Sequence, residues 1–405
     1  MAGRDQAQLA VVSTHPVQYH APVYREIQRL GLPVTVIYGS DFSVAGYHDR
    51  EFDVAFSWST DLLSGYSPIF LSRIAEGGAA TAETASARGL SRALSQIAPD
   101  AVLLTGYWPG YLRQAALQLL VRRQPILFRA ETADHARERA RLKSYARDLV
   151  LRQYYKSCRA LIYIGKRSQE HFERLGVDGR QMFFSPYCVD ASTFEADESS
   201  RDRLRATARA ELGLRSDQIV LIFAGKLVHR KGPDLLIDAV QGLPADLRQR
   251  LAVVFLGDGE MRTTLANRSD AVALRFVGFQ NQHQLSRYYH AGDVLVLPSR
   301  SGETWGLVVN EALLHGLPCL VSAGVGCAPD LAASGETGEI FETNSVISLR
   351  DSLGRLLAWF RDDVSMRERC RERVEHYSVS AAARGIIAAF ESSITKGTTV
   401  RGIER

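Results

Sequence analysis

The stretch that decides the fold is VLVLPSRSGETWGLVVNEALLHGLP, residues 294–318. Its first four residues, Val294–Leu297, form an apolar run that predicts a buried strand, and the small polar residues after it predict a loop. The apolar residues from Leu307 onward predict a helix that Gly316 and Pro318 bring to an end. Strand, loop and helix in this order are typical of a βα unit in a parallel sheet.

The loop of this stretch carries groups that suit a phosphorylated ligand. Backbone N–H groups at a helix N-terminus lack intrahelical partners and favour phosphate, and here they belong to Thr304, Trp305 and Gly306. Glu303 and Glu311 could face the same cleft, and ionised carboxylates accept hydrogen bonds from sugar or ribose hydroxyls. A single glutamate is more commonly a solvated surface residue, but the otherwise largely apolar helix around Glu311 favours a functional role.

A second strand-to-helix connection carries a cluster of positive charge. In residues 220–238 an apolar strand ends at Gly225, and a helix begins after Gly232-Pro233, with proline in the first turn. Lys226, Arg230 and Lys231 lie between them, where their charges could meet a diphosphate. The alternative is a solvated basic loop, which the two flanking glycines make less favoured.

Short apolar runs alternate with helical patterns along the whole chain. The predicted strands are Leu9–Val12, Val34–Tyr38, Ala101–Leu104, Ile126–Arg129, Leu161–Ile164, Ile219–Ala224, Ala252–Leu256, Leu274–Val277, Val294–Leu297 and Cys319–Ser322. Helices are expected from Pro22, over Asp234–Val240 and over Leu307–His315. This rhythm predicts an α/β protein made of two doubly wound, Rossmann-like domains whose parallel sheets face a central cleft.

A polar, charged segment over 196–209 predicts the boundary between the two halves. We therefore predict a first domain over 1–195, a linker over 196–215, a second domain over 216–377, and a C-terminal helix that returns to the first domain, followed by a tail, over 378–405. The helix is expected over Ser380–Phe390 with Ser380 as its N-cap, before a polar end from Thr395.

Composition sets limits on function and location. Forty-nine basic and 45 acidic residues among 405 give a net charge of +4, too mild a surplus to favour nucleic acid as the ligand. Five scattered cysteines without metal-binding spacing are expected to be reduced, packed thiols. The short polar start fits no signal peptide, and no run approaches the roughly 20 apolar residues of a membrane span, so a cytoplasmic protein is expected.

With these motifs in place, the chain resembles the retaining glycosyltransferases of family 4, whose two-lobed fold is called GT-B. The resemblance covers most of residues 9–392. Glu303 and Glu311 match the family's Glu-x7-Glu motif. Gly225-Lys226-Leu227 with Lys231-Gly232 matches its Gly-Arg-Leu…Lys-Gly motif, although position 226 has lysine where the family usually has arginine. Lysine keeps the charge but loses the planar fork, so Arg230 could supply a bidentate phosphate contact instead.

The resemblance implies a role for each matched residue. The second domain would bind a nucleotide diphosphate sugar, with Lys226 and Lys231 on the diphosphate, Glu311 on the ribose and Glu303 on the transferred sugar. The stretch around Phe279 would pack against the base. The implied catalytic residues are Glu303, Lys231 and Lys226, and the implied donor-binding residues are Gly225, Lys226, Arg230, Lys231, Phe279, Glu303, Thr304, Trp305, Gly306, Leu307 and Glu311. No cofactor and no metal are implied, because clustered cations can take the place of a divalent ion and no Asp-x-Asp run ends a strand.

The first domain would bind the acceptor, whose identity does not follow from the resemblance. After the first strand the sequence reads STHPVQYHAP, residues 13–22, where the family usually has a glycine-rich loop. This run resembles a subset of family-4 enzymes, often linked with bacterial surface glycans, that begin with His-Pro-(Val/Ile)-Gln-Tyr-His. The candidate acceptor-binding residues are His15, Gln18, Tyr19 and Glu131. Alternatively, His15 and His20 only pack the following helix, and Glu131 pairs with Arg129.

The segment 135–159 is basic and amphipathic, with eight Lys/Arg residues against two acidic residues. Two interpretations stay open: a solvated helix packed on its own domain, or a peripheral contact with an anionic membrane at the inner face. Two other functions also stay open for the whole chain. They are a sugar-nucleotide epimerase of the same fold and a non-catalytic sugar-nucleotide binder.

Overall fold

The computed structural model describes the chain from residue 6 to residue 400 with short gaps. The described residues are 6–45, 47–49, 54–56, 61–132, 134, 141–268 and 272–400. Within them the chain forms two lobes, each built on a parallel sheet with helices on both faces.

The first lobe contains nine described strands. Strands β1 to β9 are, in chain order, Leu9–Ser13, Val34–Tyr38, Tyr47–Asp49, Val54–Phe56, Ser67–Phe70, Ala101–Leu104, Ile126–Arg129, Ala160–Tyr163 and Met182–Phe184. Seven of them form a parallel sheet in the order β5-β2-β1-β6-β7-β8-β9, while β3 and β4 pair as a separate antiparallel hairpin. Because the order reverses direction beside β1, the loop after β1 lies at the switch point where ligands bind in such sheets.

Helices cover both faces of this first sheet. Helices α1 to α5 are Ala21–Arg29, Leu90–Ile97, Gly110–Val121, Arg141–Ser157 and Lys166–Arg174. Ala10 and Val12 of β1 point to the face covered by α2, α3, α4 and α5, whereas Leu9 and Val11 point to the face covered by α1. The strands can be apolar throughout because both of their faces are buried.

The second lobe repeats this layered arrangement. Strands β10 to β15 are Ile219–Ala224, Leu251–Leu256, Ala273–Gly278, Val294–Leu297, Cys319–Ser322 and Gly338–Phe341, and they form a parallel sheet in the order β12-β11-β10-β13-β14-β15. Helices α6 to α14 are Glu198–Glu211, Pro233–Gln241, Ala245–Gln249, Arg262–Ala266, Gln282–Ala291, Leu307–Leu314, Ala328–Leu331, Val346–Trp359 and Val364–Glu375. Helices α7 and α13 pack on one face, and α10, α11 and α14 pack on the other.

The predicted fold class is confirmed: two parallel-sheet, Rossmann-like lobes face one another. Every predicted strand is present, and its ends differ from the prediction by at most one residue. The short edge strands β5, β9 and β15 were not predicted. β5 and β15 include serine, proline, glycine or glutamate and β9 is only three residues long, so none of them shows an apolar run of four residues. The five cysteines are free and buried, as predicted.

The segment predicted as a linker contains helix α6. Asp197 caps this helix by accepting a hydrogen bond from the Ser200 N–H at 2.9 Å. Arg205 and Arg209 then pair with the buried carboxylate of Asp293, at 2.6 and 3.1 Å, and fix α6 to the second lobe. The polar residues that suggested a linker therefore belong to a helix whose arginines form ion pairs with the second lobe.

The C-terminal helix α15, Val379–Val400, returns from the second lobe and packs against α1, β8 and β9 of the first. Its predicted cap was wrong. The helix begins one residue earlier than expected, so Ser380 lies inside it and Ser378 accepts the Ala381 N–H at 3.3 Å. The helix also continues beyond Phe390, the predicted end.

Close packing of α15 on β9 gives a test of this arrangement. A Cβ added at Gly385 would lie 1.8 Å from the Phe184 carbonyl oxygen, so Gly385→Ala should lower the free energy of unfolding by about 1–3 kcal/mol in chemical denaturation. Gly354→Ala on α13 is the control, because its added methyl meets nothing within 4 Å, and it should be neutral or stabilise by up to about 1 kcal/mol. Equal stability of the two variants would contradict the docking of α15.

Candidate functional site

Two loops of the second lobe meet at the carboxyl end of its sheet. A short 3-10 helix, His229–Lys231, follows β10, and the glutamate loop, residues 298–306, follows β13. Lys231 Nζ donates to Glu303 Oε2, and Ser299 Oγ donates to the same oxygen at 3.0 Å. Because both side chains of the ion pair are largely buried, the lysine and the carboxylate hold each other at a fixed position.

The Arg300 guanidinium reinforces this junction. It donates to both carboxylate oxygens of Asp234 on α7, each at 2.7 Å, while the Arg300 backbone N–H donates to the Arg230 carbonyl at 2.8 Å. The bidentate pair joins the start of α7 to the loop after β13. The loop that carries Glu303 is therefore held on one side by Lys231 and on the other by Asp234.

Two glycines shape the backbone where the loop enters helix α11. Gly306 is the N-cap with φ +102, a left-handed conformation that favours glycine. Gly326 packs so closely that a Cβ there would lie 1.8 Å from the Thr304 carbonyl oxygen. The Gly326 and Cys327 N–H groups donate to the Glu303 and Trp305 carbonyls at 3.0 and 2.9 Å, which fixes the backbone leading into the helix.

A cavity of about 310 Å³ lies between the two lobes at this loop. The second lobe lines it with donor residues predicted from the sequence: Lys231, Glu303, Thr304, Trp305, Gly306, Leu307 and Glu311. The first lobe lines it with three predicted acceptor residues, Gln18, Tyr19 and Glu131. The structure therefore places most of the predicted donor residues and three of the four predicted acceptor residues around one space.

A second cavity of about 240 Å³ adjoins the first. Its lining includes the predicted residues Gly225 and Phe279, the strand-end residues Leu256 and Gly257, and Glu311. Glu311 lines both cavities, so its carboxylate lies at their junction. A ligand with two connected parts could occupy both spaces and contact Glu311 in the middle.

Three predicted site residues lie apart from these spaces. Lys226 and Arg230 are not among the described residues that line either cavity, although both belong to the loop after β10. His15 packs its ring 4.4 Å from the Phe42 ring and contacts Thr14 Oγ1 at 2.9 Å. Burial lowers the pKa of His15 to about 4, so the imidazole is neutral at pH 7. His15 thus packs against Phe42, which follows β2 and is not part of the following helix, and it lines neither cavity.

Glu131 joins the two lobes across the first cavity. Its Oε2 accepts a hydrogen bond from Thr304 Oγ1 at 2.5 Å. The alternative pairing with Arg129 is wrong, because that guanidinium is buried and donates to the Ser185 and Pro186 carbonyls at 3.2 and 2.9 Å. A carboxylate at the end of β7 is thus free of Arg129 and faces the glutamate loop of the other lobe.

Several residues of the site escaped prediction. Tyr187 and Asp190 after β9 and Gln282 and Tyr289 on α10 line the cavities, and Asn310 on α11 supports Trp305. Asn310 carried a usable signal, because it is a polar residue within an apolar helix. Its Oδ1 accepts the Trp305 indole N–H at 2.9 Å, and its amide donates to the Tyr187 carbonyl at 3.3 Å. Tyr187, Asp190 and Tyr289 lie outside the motifs and join them only through folding, whereas Gln282 follows Phe279 by three residues.

The described residues contain neither a metal-binding cluster nor a membrane-spanning helix. No group of three or more histidine, cysteine, aspartate or glutamate side chains is arranged there to hold a metal ion. None of the helices in this part of the chain has the length and hydropathy needed to cross a membrane.

The fold and the site define a class: a two-lobed α/β protein with a polar cleft shared by both lobes. Solved structures of this class match almost the whole chain. Sucrose-phosphate synthase from Thermosynechococcus elongatus has a TM-score of 0.71 at 18% identity and covers 96% of this chain and 100% of its own. HepE from Anabaena, solved in complex with UDP and glucose, has a TM-score of 0.65 at 14% identity, with 96% and 100% covered. The GT-B arrangement is thereby confirmed.

Sequence comparison adds a family for the second lobe. Residues 205–377 match the family described as Glycosyl transferases group 1. The D-inositol 3-phosphate glycosyltransferase of Xylanimonas cellulosilytica is 31% identical over 209 residues, which are 49% of this chain and 48% of that protein. The protein of the same name from Mycobacteroides abscessus is 30% identical over 197 residues, 47% and 43% respectively. The chain spans about half the length of these curated relatives.

Proposed function

We propose that this protein is a glycosyltransferase that moves a sugar from a nucleoside diphosphate sugar to an acceptor hydroxyl with retention of anomeric configuration. The observation that carries the proposal is the shared cavity, which brings Lys231, Glu303 and Glu311 of one lobe within reach of Tyr19 and Glu131 of the other. The group 1 domain and the relatives named as glycosyltransferases support the same activity.

The donor diphosphate is assigned to the start of α11 and to Lys231. Backbone N–H groups of a helix N-terminus and a lysine ammonium both favour phosphate oxygens. Lys231 pairs with Glu303 in the structure, so a bound diphosphate would share the ammonium with that carboxylate. Glu303 would then have acceptor capacity for hydroxyls of the transferred sugar.

The nucleoside is assigned to the second cavity. Glu311 stands at its entrance and would accept hydrogen bonds from the ribose hydroxyls. Leu256, Gly257 and Phe279 would enclose the base. HepE, which shares the fold, was solved in complex with UDP and glucose, and this supports a nucleotide in this class of cleft.

In the proposed reaction the bond between the sugar and the diphosphate breaks as the acceptor oxygen attacks the same face. Negative charge then grows on the departing diphosphate, and Lys231 with the α11 amides would stabilise it. The acceptor proton passes to a donor phosphate oxygen. Glu131 and Tyr19 would orient the acceptor hydroxyl. No divalent ion is part of this proposal, because the ammonium and the amides supply the stabilising charge.

The biological setting forms a further part of the proposal. We assign the protein to bacterial glycan or glycoconjugate biosynthesis in the cytoplasm, and the resemblance of the run from His15 to His20 supports this assignment. Its relatives are named for D-inositol 3-phosphate, which makes a polyol hydroxyl a natural acceptor to include in a screen.

The activity can be tested by screening UDP-, GDP-, ADP- and dTDP-sugars for thermal stabilisation and then analysing products by mass spectrometry and NMR. We expect one nucleotide class to raise the melting temperature, transfer to an acceptor with the donor's anomeric configuration, and activity that survives a chelator. Conversion of the donor alone into its epimer would replace the proposal with an epimerase. Stabilisation without any turnover would indicate a sugar-nucleotide binder.

Lys226 and Lys231 both lie in the loop after β10 and both match the family motif, but of the two only Lys231 lines one of the two cavities. Lys231→Met should weaken binding of the stabilising nucleoside diphosphate by about tenfold or more in calorimetry, because a charge-assisted hydrogen bond is lost inside the cavity. Lys226→Met is the matched control and should have a smaller effect, since Lys226 lies outside the lining of both cavities. A larger loss in Lys226→Met would contradict this assignment of the diphosphate.

We also propose that the first lobe contacts an anionic membrane at its α4 side. The part 135–140 of the predicted basic segment lies outside the described residues. In the rest, Tyr145, Leu149 and Val150 are 62–70% exposed, although large apolar side chains are normally covered. Lys143, Arg152 and Lys156 of the same helix are exposed as well. Apolar side chains flanked by positive charge suit an interface with anionic lipid.

Helix α3 extends this surface. It packs on the same face of the first sheet as α4. Helix α3 connects β6 to β7 and α4 connects β7 to β8, and these strands are neighbours in the sheet. The outward faces of the two helices therefore form one side of the lobe. Leu117 and Val121 of α3 are 64% and 85% exposed. Arg122 and Arg123 follow them and are also exposed. Both helices therefore offer the same combination of apolar and basic side chains.

Vesicle co-sedimentation tests the contact. We expect binding to vesicles that contain phosphatidylglycerol, weaker binding in high salt, and little binding to phosphatidylcholine alone. Leu149→Glu should reduce the bound fraction several-fold, because it places a charge in the apolar patch. Ile347→Glu on α13, an equally exposed site at 65%, is the control and should bind as the wild type does. Absence of binding at every salt concentration would overturn the contact.

A further inference from the structure

Glu311 is held by a residue that no motif includes. Tyr289 of α10 is fully buried, and its hydroxyl donates to Glu311 Oε2 at 2.6 Å. The hydrogen bond fixes the plane of the carboxylate at the junction of the two cavities. A carboxylate has about four lone-pair positions, so acceptor capacity remains for a ligand.

A buried network fixes Tyr289 in turn. Its ring stacks on the His315 ring with 5.0 Å between centroids. His315 Nδ1 donates to the Glu311 carbonyl at 2.7 Å, which leaves Nε2 to accept from Ser286 Oγ at 3.0 Å. Burial lowers the pKa of His315 to about 3, which agrees with a neutral ring in this single tautomer.

The network continues to Glu195, which lies between β9 and α6 in the segment that connects the two lobes. Ser286 Oγ accepts the Glu195 N–H at 3.0 Å, and His290 Nε2 donates to the Glu195 carbonyl at 2.7 Å. Each of these donors therefore has an acceptor, from Glu195 to the Glu311 carboxylate, while His290 Nδ1 is buried without a hydrogen-bond partner. Linked hydrogen bonds of this kind restrain the orientation of the buried side chains that share them.

We propose that Tyr289 is a positioning residue for the nucleotide: its hydroxyl aims the Glu311 carboxylate at the ribose and keeps it an acceptor. The inference rests on the proposed function, since it assigns the ribose to Glu311. Tyr289 acts through Glu311, and its phenol does not have to touch the ligand.

The proposed role predicts a specific pH dependence of nucleotide binding, because it depends on ionisation of the Glu311 carboxyl. Burial raises the pKa of Glu311 to about 7, while the Tyr289 hydrogen bond opposes that rise. The other titratable groups around it are His315, at the C-terminal end of its own helix, and the groups that line the first cavity with it: Lys231, Glu303, Glu131, Asp190, Tyr19 and Tyr187. The ionised carboxylate is the better acceptor for ribose hydroxyls, so nucleotide affinity should fall as pH drops through about 7. Removing the phenol hydroxyl should raise the Glu311 pKa and move that fall to higher pH.

The experiment measures binding of UDP, GDP and ADP by calorimetry from about pH 5.5 to 8.5, a range that brackets the Glu311 pKa, for the wild type and three variants. For the nucleotide that binds, Tyr289→Phe should weaken affinity by about tenfold near pH 7 and shift the midpoint of the pH dependence upward. Tyr288→Phe is the matched control, because its hydroxyl on the same helix contacts Arg287 instead. It should match the wild type. Glu311→Gln should bind weakly with no midpoint in this range.

The variants test the ribose assignment to Glu311 and the positioning role of Tyr289 separately. Wild-type affinity in Glu311→Gln would remove the ribose assignment and with it this part of the proposed function. Weak binding in Glu311→Gln together with a wild-type affinity and midpoint in Tyr289→Phe would overturn the positioning role alone. A loss of affinity in Tyr289→Phe without any change of midpoint would indicate a merely structural tyrosine and would also overturn it.

Discussion

The geometry of the cleft depends on the way Trp305 joins the lobes. Its side chain is buried, and its indole N–H bonds to Asn310, whose amide reaches the Tyr187 carbonyl of the first lobe. The ring fits against Gly165, where any Cβ would lie 2.5 Å from it. Because Trp305 follows Glu303 by two residues, the contact that joins the lobes also sets the position of the glutamate loop relative to Glu131.

Parallel topology explains why the remaining groups collect beside this contact. Ligand loops lie at the carboxyl ends of parallel strands, and both sheets direct those ends toward the cleft. Lys231 follows β10, Glu303 follows β13, and Glu131 follows β7. Three residues distant in sequence thus share one space. The local hydrogen bonds then decide their orientation: Glu303 is held by Lys231, and Glu311 is held by Tyr289.

Much of this arrangement could be predicted from sequence, because apolar strand runs and glycine-flanked loops are local signals. They predicted the two sheets and the loops that carry Lys231 and Glu303. Contacts that form only between distant segments could not be predicted in the same way. The cross-lobe bond from Thr304 to Glu131 and the support of Glu311 by Tyr289 are examples. His15 shows the converse, because its place after β1 suggested the cleft, whereas its ring packs against Phe42.

In the proposed function, one cleft binds a nucleoside diphosphate across two adjoining cavities. A crystal structure of the protein with the nucleotide that stabilises it tests this most directly. We expect the diphosphate at Lys231 and the start of α11, the ribose on Glu311, and the base beside Gly257 and Phe279. A nucleotide bound elsewhere, or a ribose that does not contact Glu311, would contradict it.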